Sequence, residues 1–210
     1  LYVVLEGIDG VGTGTQQIKL AEHIIELSKY NSVLLTHQPW KSEEIKRRLK
    51  EDKSAFSGGE EMAELYIADR EKYHAELIIP NVINDVFIVG DRDRMSTLCY
   101  QSAQDVNLDK LMDMHNSRNI IYPDHVFYID VSVEVASERL IGRGEPREKF
   151  ERPEFMHRLV NKYREVAKMA QKDPTILGEI TIINGERAIE EVSAEISQKF
   201  DEVYVSRKYQ

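Results

Sequence analysis

The chain of 210 residues is long enough for one folded domain, and its 41% hydrophobic and 31% charged residues are typical of a globular protein. A formal net charge of −9 argues against a nucleic-acid partner, and no apolar run approaches the roughly 20 residues that cross a bilayer. The single cysteine, Cys99, excludes an intramolecular disulfide and agrees with a reducing, cytoplasmic location.

Five short apolar segments are predicted to be buried strands, because they are rich in β-branched and aromatic residues. They are residues 2–6, 32–36, 86–90, 125–131 and 179–183. Helical patterns begin near Thr15 and recur at 42–50, 60–79, 133–141, 154–170 and 187–200. The apolar face predicted for the first helix consists of Ile18, Ala21, Ile24, Ile25 and Leu27. This alternation predicts an α/β fold with a doubly wound, parallel five-stranded sheet flanked by helices.

One segment interrupts the alternation of strands and helices. Residues 142–153 are polar, contain two glycines and two prolines, and show no hydrophobic period. Their length is about that at which loops act as lids over a bound ligand. We therefore predict a single domain over residues 1–210, with a lid segment at about 142–153.

A glycine-rich loop follows the first predicted strand and opens the first predicted helix. Glycines let several backbone N–H groups converge on a phosphate, and the helix N-terminus adds positive potential. A tight strand–helix turn without a ligand is the alternative. The sequence predicts a phosphate-binding loop formed by Gly7, Gly10, Val11, Gly12, Thr13, Gly14 and Thr15.

Two residues of the usual phosphate-loop pattern, G-x-x-x-x-G-K-[ST], are missing. Thr13 stands in place of the lysine, and Gly14 in place of the magnesium-binding hydroxyl. One cation about 4 Å from a phosphate contributes about 4 kcal/mol at an effective dielectric of roughly 20, which corresponds to a rate factor on the order of 10³. Either another cation replaces the lysine, or the protein binds nucleotide without efficient transfer.

Charged and hydroxyl side chains follow the third predicted strand in chain order. Asp91 and Arg92 at its carboxyl end would suit magnesium and phosphate, respectively. The alternative is a surface ion pair ahead of a helix with Ser96 or Thr97 as its N-cap.

A second candidate group lies on the predicted helix 60–79. Tyr66, Arg70 and Tyr73 are spaced to share one helix face, which would suit a base and its phosphate. Two half-buried tyrosines beside a solvated arginine would give the same pattern.

Segments distributed over nearly the whole chain resemble the thymidylate kinase family in their order and spacing. They are LEGIDGVG at 5–12, THQP at 36–39, LYIADR at 65–70, GDRDRMSTLCYQ at 90–101, PDHVFYIDV at 123–131 and the arginine-rich stretch from Arg139 to Tyr163. The resemblance implies a P-loop nucleotide kinase fold with a short lid. It also implies dTMP as acceptor, ATP as phosphate donor, Mg²⁺ as cofactor and a homodimer.

The same resemblance implies roles for individual residues. Asp9 would hold the 3′-hydroxyl of the acceptor sugar, and Tyr66 would stack on thymine. Arg70 would contact the acceptor phosphate or the base edge. Arg92 would bridge the acceptor phosphate and the γ-phosphate. Asp91 would bind magnesium indirectly, through a water ligand of the ion. The other implied acceptor contacts are Ser96 and Thr97 at the base, Tyr100 beneath the sugar, and Gln101.

The chain departs from the family pattern beside the acceptor and in the lid. His37 and Gln38 replace the charged pair of the usual Thr-Arg-Glu-Pro. Pro146 stands before Arg147, where an acidic residue is often found. Both changes concern residues that would surround the reacting phosphates or the acceptor.

The lid offers replacements for the missing lysine. One subgroup of the family carries a catalytic arginine in the lid, and this sequence resembles that subgroup. We therefore expect Arg143 or Arg147, together with Arg92, to be catalytic and to supply the charge that Thr13 lacks. A solvated loop of mixed charge is the alternative for this segment.

Three functions are compatible with the sequence. The favoured one is ATP-dependent phosphorylation of dTMP to dTDP, a step of dTTP biosynthesis. The second is the same reaction on another nucleoside monophosphate, and the third is nucleotide binding without catalysis. Asp9, Asp91 and Arg92 favour an enzyme, since a protein that only binds nucleotide has less need of them.

Overall fold

The structure, a computed structural model, describes residues 1–52, 54–142 and 149–208. Its centre is a five-stranded sheet in which all neighbouring strands are parallel. The strand order is β2-β3-β1-β4-β5. The strands are β1 (Tyr2–Glu6), β2 (Val33–His37), β3 (Phe87–Asp91), β4 (His125–Asp130) and β5 (Ile180–Asn184). The predicted parallel five-stranded α/β fold is therefore confirmed.

Nine α-helices flank the sheet within the described ranges. They are α1 (Thr13–Leu27), α2 (Glu43–Glu51), α3 (Gly59–Tyr73), α4 (Ile79–Ile83), α5 (Arg94–Ala103), α6 (Leu108–Asn116), α7 (Val133–Gly142), α8 (Pro153–Lys172) and α9 (Ile189–Lys208). A π-helical turn, His74–Ile78, joins α3 to α4, and a 3₁₀ turn, Lys149–Glu151, precedes α8. No helix of these ranges is both long and apolar enough to span a membrane.

Strand β1 lies in the middle of the sheet, and its side chains divide between two apolar layers. Val3 and Leu5 belong to the larger core cluster, whereas Tyr2 and Val4 belong to a smaller cluster on the opposite face. This alternation follows from the two-residue period of a strand. Because both faces are covered, β1 is a continuous apolar run, as buried parallel strands usually are.

The buried face of α1 differs from the predicted one. Ala21 and Ile24 are buried as expected, but Ile18, Ile25 and Leu27 are exposed, so this part of the prediction is wrong. The remaining buried positions are Gln16, Gln17 and Leu20. The Gln17 side chain donates to the carbonyl oxygens of Thr36 and Val89, both at 2.7 Å, which compensates its burial and attaches α1 to β2 and β3.

Candidate active site

One cavity gathers the eight side chains that the sequence assigned to acceptor binding. Loops after β1 and β3 and the helices α3 and α5 supply them, so the cavity lies at the carboxyl edge of the sheet, where α/β folds bind ligands. The eight are Asp9, Tyr66, Arg70, Arg92, Ser96, Thr97, Tyr100 and Gln101. Gln38, Pro39, Leu49 and Phe150 also line the cavity, although the sequence assigned them no contact with the acceptor.

A linked carboxylate and guanidinium lie at one end of the cavity. Arg92 Nη2 donates to Asp9 Oδ1 at 2.6 Å, and the hydroxyl of Tyr100 donates to Asp9 Oδ2 at 3.0 Å. The Arg92 guanidinium lies over the Tyr100 ring, 5.3 Å from its centroid. Arg92 also has a φ of 70°, a strained backbone for a residue with a side chain, of the kind found at functional sites. This end of the cavity is the part best suited to a sugar hydroxyl and a phosphate.

Glu6, at the end of β1, is a buried residue of this site that the sequence analysis missed. Its Oε1 accepts the backbone N–H groups of Asp93 at 2.7 Å and Ser96 at 3.1 Å. Its Oε2 accepts the hydroxyls of Ser96 at 2.7 Å and Tyr163 at 3.1 Å. Both hydroxyls in turn accept from Arg92 Nη1, at 3.2 and 3.4 Å. Glu6 therefore helps to hold the Arg92 guanidinium in place through these two hydroxyls.

Glu6 also explains how α5 begins. The helix starts at Arg94, and its N-cap is Asp93, which makes no side-chain capping bond. Ser96 and Thr97 lie inside the first turn, so the alternative interpretation, in which one of them is the N-cap, does not hold. The Glu6 carboxylate accepts N–H groups at this helix N-terminus instead, where a negative charge is favourable. A charged residue ending an otherwise apolar strand was the available signal in the sequence.

The environment of Glu6 predicts a pH-dependent stability. Burial raises the pKa of Glu6 to about 7, although Arg92 and the hydrogen bonds partly oppose the shift. A carboxyl with a raised pKa holds its proton more firmly in the folded state, so its contribution to stability is lost as pH rises from about 4.5 to 7. Glu6→Gln keeps the shape and cannot ionise. We expect it to be more stable than the wild type by about 3 kcal/mol at pH 8 and similar at pH 4.

Thermal unfolding of both proteins between pH 4 and pH 8 measures this effect. The comparison must be a difference between the two proteins, because burial also lowers the pKa of His115 to about 3 and of His125 to about 4. These histidines raise stability with increasing pH below about 6.5, and they do so equally in both proteins. Parallel stability curves for wild type and Glu6→Gln would contradict the raised pKa of Glu6.

Arg70 forms the buried centre of the other end of the cavity. Its side chain is 1% exposed, and its Nε lies 2.6 Å from Asp93 Oδ1 and donates to Gln38 Oε1 at 2.7 Å. Nη1 donates to Thr97 Oγ1 at 3.1 Å and contacts His115 Nε2 at 2.8 Å. Arg70 is therefore not the solvated arginine of the alternative interpretation. Its counter-charge comes from Asp93, and position 38 supplies a neutral amide.

The glycine-rich loop packs closely against α7. Gly10 has a φ of 92°, and a Cβ there would lie 2.6 Å from the carbonyl oxygen of Ala136, so no larger residue fits. Thr13 begins α1, and its N-cap, Gly12, has a φ of 93°. A Cβ at Gly14 would meet no atom within 4 Å. Space therefore does not explain the missing hydroxyl at this position.

Arg139, on α7, brings a guanidinium to the glycine-rich loop. Its Nη1 donates to the carbonyl oxygen of Val11 at 3.3 Å, and its Nη2 donates to that of Gly185 at 2.8 Å. Arg139 therefore connects the loop to the segment after β5, a contact that the sequence analysis did not identify. Arg143 and Arg147, the predicted catalytic arginines of the lid, lie outside the described residues.

Asp91, the predicted magnesium-side carboxylate, ends β3. Its Oδ1 is buried and has no hydrogen-bond partner among the described residues, which suits a carboxylate that accepts from metal-bound water. Within those residues, no group of three or more His, Cys, Asp or Glu side chains could hold a metal ion. The residues fit a Mg²⁺ ion that keeps most of its ligands from nucleotide phosphates and water.

Comparisons with known proteins agree with the site geometry. Residues 5–196 match the family model described as thymidylate kinase. The thymidylate kinase of Leptospira interrogans serovar copenhageni is 31% identical over 166 residues, which cover 79% of this chain and 81% of that protein. That of Thermosipho africanus is 29% identical over 201 residues, covering 93% and 95%. A probable thymidylate kinase of Thermococcus gammatolerans is 30% identical over 210 residues, covering 93% of each.

Proposed function

Since the chain belongs to the thymidylate kinase family, we propose that it transfers the γ-phosphoryl group of ATP to dTMP and forms dTDP. One observation of the structure supports this most: the eight side chains expected to hold the acceptor line one cavity at the carboxyl edge of the sheet. That cavity combines an aromatic ring and apolar surface with a charged end, as a nucleoside monophosphate requires.

Acceptor binding assigns different tasks to the two ends of the cavity. Asp9 and Arg92, joined at 2.6 Å, face the sugar and the phosphate, while Tyr66 and Arg70 face the base. The acceptor phosphate is already an anion, so the reaction needs no general base. The protein must align two anions and neutralise their repulsion, and the fixed guanidinium of Arg92 does both.

The donor would be held by the glycine-rich loop. Backbone N–H groups at the start of α1 are suited to the β-phosphate, and Arg139 fixes the loop through the Val11 carbonyl. When bound, Mg²⁺ would neutralise charge on the donor phosphates, and Asp91 is placed to accept from its water ligands. Arg143 and Arg147 are proposed as the catalytic cations of the lid, and they would replace the lysine absent at Thr13.

Two further properties rest on the family and on composition. We propose a homodimer, as the family resemblance implies, and a cytoplasmic location, which agrees with the single buried cysteine, Cys99. Sedimentation of the purified protein at micromolar concentration tests the first of these.

An acceptor panel tests the proposed reaction. Diphosphate formation from dTMP, ATP and Mg²⁺ is measured beside dUMP, dCMP and AMP, and selective formation of dTDP is expected. Product from another acceptor in preference to dTMP would show a different kinase. No product from any acceptor, with dTMP binding still seen by calorimetry, would indicate a nucleotide-binding protein that lost transfer with its loop lysine.

A further inference from the structure

The carboxylate of Glu6 belongs to the site without forming part of the cavity surface. It is 0% exposed and lies behind the cavity lining, to which Arg92 and Ser96 belong. Burial raises the pKa of Glu6 to about 7, so its ionisation lowers the stability of the fold in the neutral range. Groups that lower stability in this way are typical of functional sites, where activity and stability oppose each other.

Four hydrogen-bond donors surround the Glu6 carboxylate. The backbone N–H groups of Asp93 and Ser96 donate to Oε1, and the hydroxyls of Ser96 and Tyr163 donate to Oε2. An ionised carboxylate only accepts, so all four hydrogens can point toward it. The lone pairs of the two hydroxyls are then left for Arg92 Nη1, at 3.2 and 3.4 Å. Ionised Glu6 therefore gives every donor of this group an acceptor.

A neutral group at position 6 disturbs this order. The two backbone N–H groups require an oxygen at the Oε1 position, so the hydrogens of a glutamine amide, or the proton of a carboxylic acid, take the Oε2 position. One hydroxyl hydrogen can then be accepted by the other hydroxyl oxygen, 2.9 Å away. The second hydroxyl hydrogen is left beside the Arg92 guanidinium, which has only donors. Neutral Glu6 therefore sets a donor against Arg92.

The ionisable groups around Glu6 and Arg92 come from the loop after β1, the end of β3, α5 and its N-cap, and α8. They are Asp9, Asp91, Asp93, Cys99, Tyr100 and Tyr163. Burial raises the pKa of Cys99, Tyr100 and Tyr163, so these three stay neutral near pH 7. Although burial opposes it, neighbouring cations hold the pKa of Asp93 below its usual range. Glu6, with its pKa of about 7, is the group whose charge changes in the neutral range.

Resting on the proposed function, we propose that ionised Glu6 is a positioning residue for the acceptor phosphate. It orders the hydroxyls of Ser96 and Tyr163, and these direct Arg92 Nη1, while Asp9 holds Nη2 at 2.6 Å. Because Glu6 lies behind Arg92 and Ser96, the phosphate meets an oriented guanidinium and not the negative charge of Glu6. The site therefore keeps a carboxylate without which the fold is more stable.

Glu6→Gln tests the proposal, because it keeps the shape of the side chain and removes its charge. Dissociation constants for dTMP and thymidine are measured by calorimetry, since their ratio isolates the contribution of the phosphate. Glu6→Gln is expected to lower the preference for dTMP over thymidine about tenfold at pH 8. At pH 6 the loss should be only about twofold, because Glu6 is then mostly protonated in the wild type as well.

Glu179→Gln is the matched control. Glu179 is exposed and precedes β5, at the edge of the sheet opposite the cavity. Its substitution removes the same charge and should leave the preference for dTMP intact at both pH values. Thermal melting establishes that each protein is folded, and Glu6→Gln should melt at a higher temperature than the wild type at pH 8.

Tyr163→Phe is the second variant, and it removes one of the two hydroxyls without changing the charge. It should lower the preference for dTMP about threefold. In the Glu6→Gln background it should add little, because both substitutions interrupt the same chain of hydrogen bonds between Glu6 and Arg92.

An unchanged preference for dTMP in Glu6→Gln at pH 8 would overturn the proposal. An increased preference would also overturn it, since that result is expected if repulsion between Glu6 and the phosphate outweighs the orientation of Arg92. An equal loss of affinity for both ligands would show that Glu6 acts on the fold alone. Because the readout is binding, a lowered preference without dTDP formation would contradict only the proposed reaction. Formation of dTDP with an unchanged preference would contradict only the role of Glu6.

Discussion

Replacing both Arg143 and Arg147 with alanine is expected to lower kcat for dTDP formation by about 10³. The glycine-rich loop lacks its lysine at Thr13, so the charge on the transferred phosphoryl group must be neutralised from elsewhere. One cation about 4 Å from a phosphate contributes about 4 kcal/mol at an effective dielectric of roughly 20, and losing it costs a rate factor on the order of 10³. Steady-state assays at saturating dTMP and ATP measure the change.

The control for this variant separates a specific effect from a loss of surface charge. Lys168→Ala/Lys172→Ala removes two positive charges from the exposed side of α8 and should leave kcat unchanged. The affinity for dTMP, measured by calorimetry, should also be unchanged in the lid variant, because the acceptor cavity is built by other residues. Unaltered turnover in Arg143→Ala/Arg147→Ala would eliminate the lid as the source of the missing charge.

The fold could be predicted from the sequence because its main signals are local. Strands β1, β3 and β4 are buried on both faces, so each is a short apolar run, and all five observed strands begin and end within about one residue of the predicted segments. The same reasoning located the cavity, since residues that follow parallel strands meet at one edge of the sheet. Asp9 after β1 and Arg92 after β3 are joined for this reason.

The interactions that the sequence did not predict join residues far apart in the chain. Gln17 is buried because its amide finds carbonyl oxygens 19 and 72 positions away, and no periodicity records such partners. The N-terminus of α5 is likewise capped by a distant residue, because the carboxylate of Glu6 accepts the backbone N–H of Asp93, 87 positions away. Long-range hydrogen bonds therefore decide that Gln17 is buried in α1, against the hydropathy pattern, and that α5 is capped by Glu6 and not by a neighbouring side chain.

The Arg70 group shows the same limit at the site itself. The departure of Gln38 from the family pattern was visible in the sequence, but its consequence was not. Asp93 lies 2.6 Å from Arg70 and supplies the negative charge, which frees position 38 to be a neutral amide. A pattern of residue types cannot show that two such positions act on one guanidinium.

Thr13→Lys is expected to restore transfer to the lid variant, and this second large effect tests whether the two positions supply the same charge. Position 13 begins α1 at the end of the glycine-rich loop, where a lysine would meet the donor phosphates. In the Arg143→Ala/Arg147→Ala background we expect kcat to rise by about 10² to 10³. In the wild type the same substitution should raise kcat less than about tenfold, because groups that act as a unit are not additive.

Thr13→Met is the matched control, since methionine approaches lysine in length but carries no charge, and it should restore nothing. Steady-state assays of the wild-type and lid-variant proteins, each with and without Thr13→Lys, form a double-mutant cycle. A large gain in the lid variant alone would show that lid and loop are alternative sources of one cation. An equal gain of about 10³ in both backgrounds would show that the wild type works without that charge, and the lid arginines would then lose their assigned role.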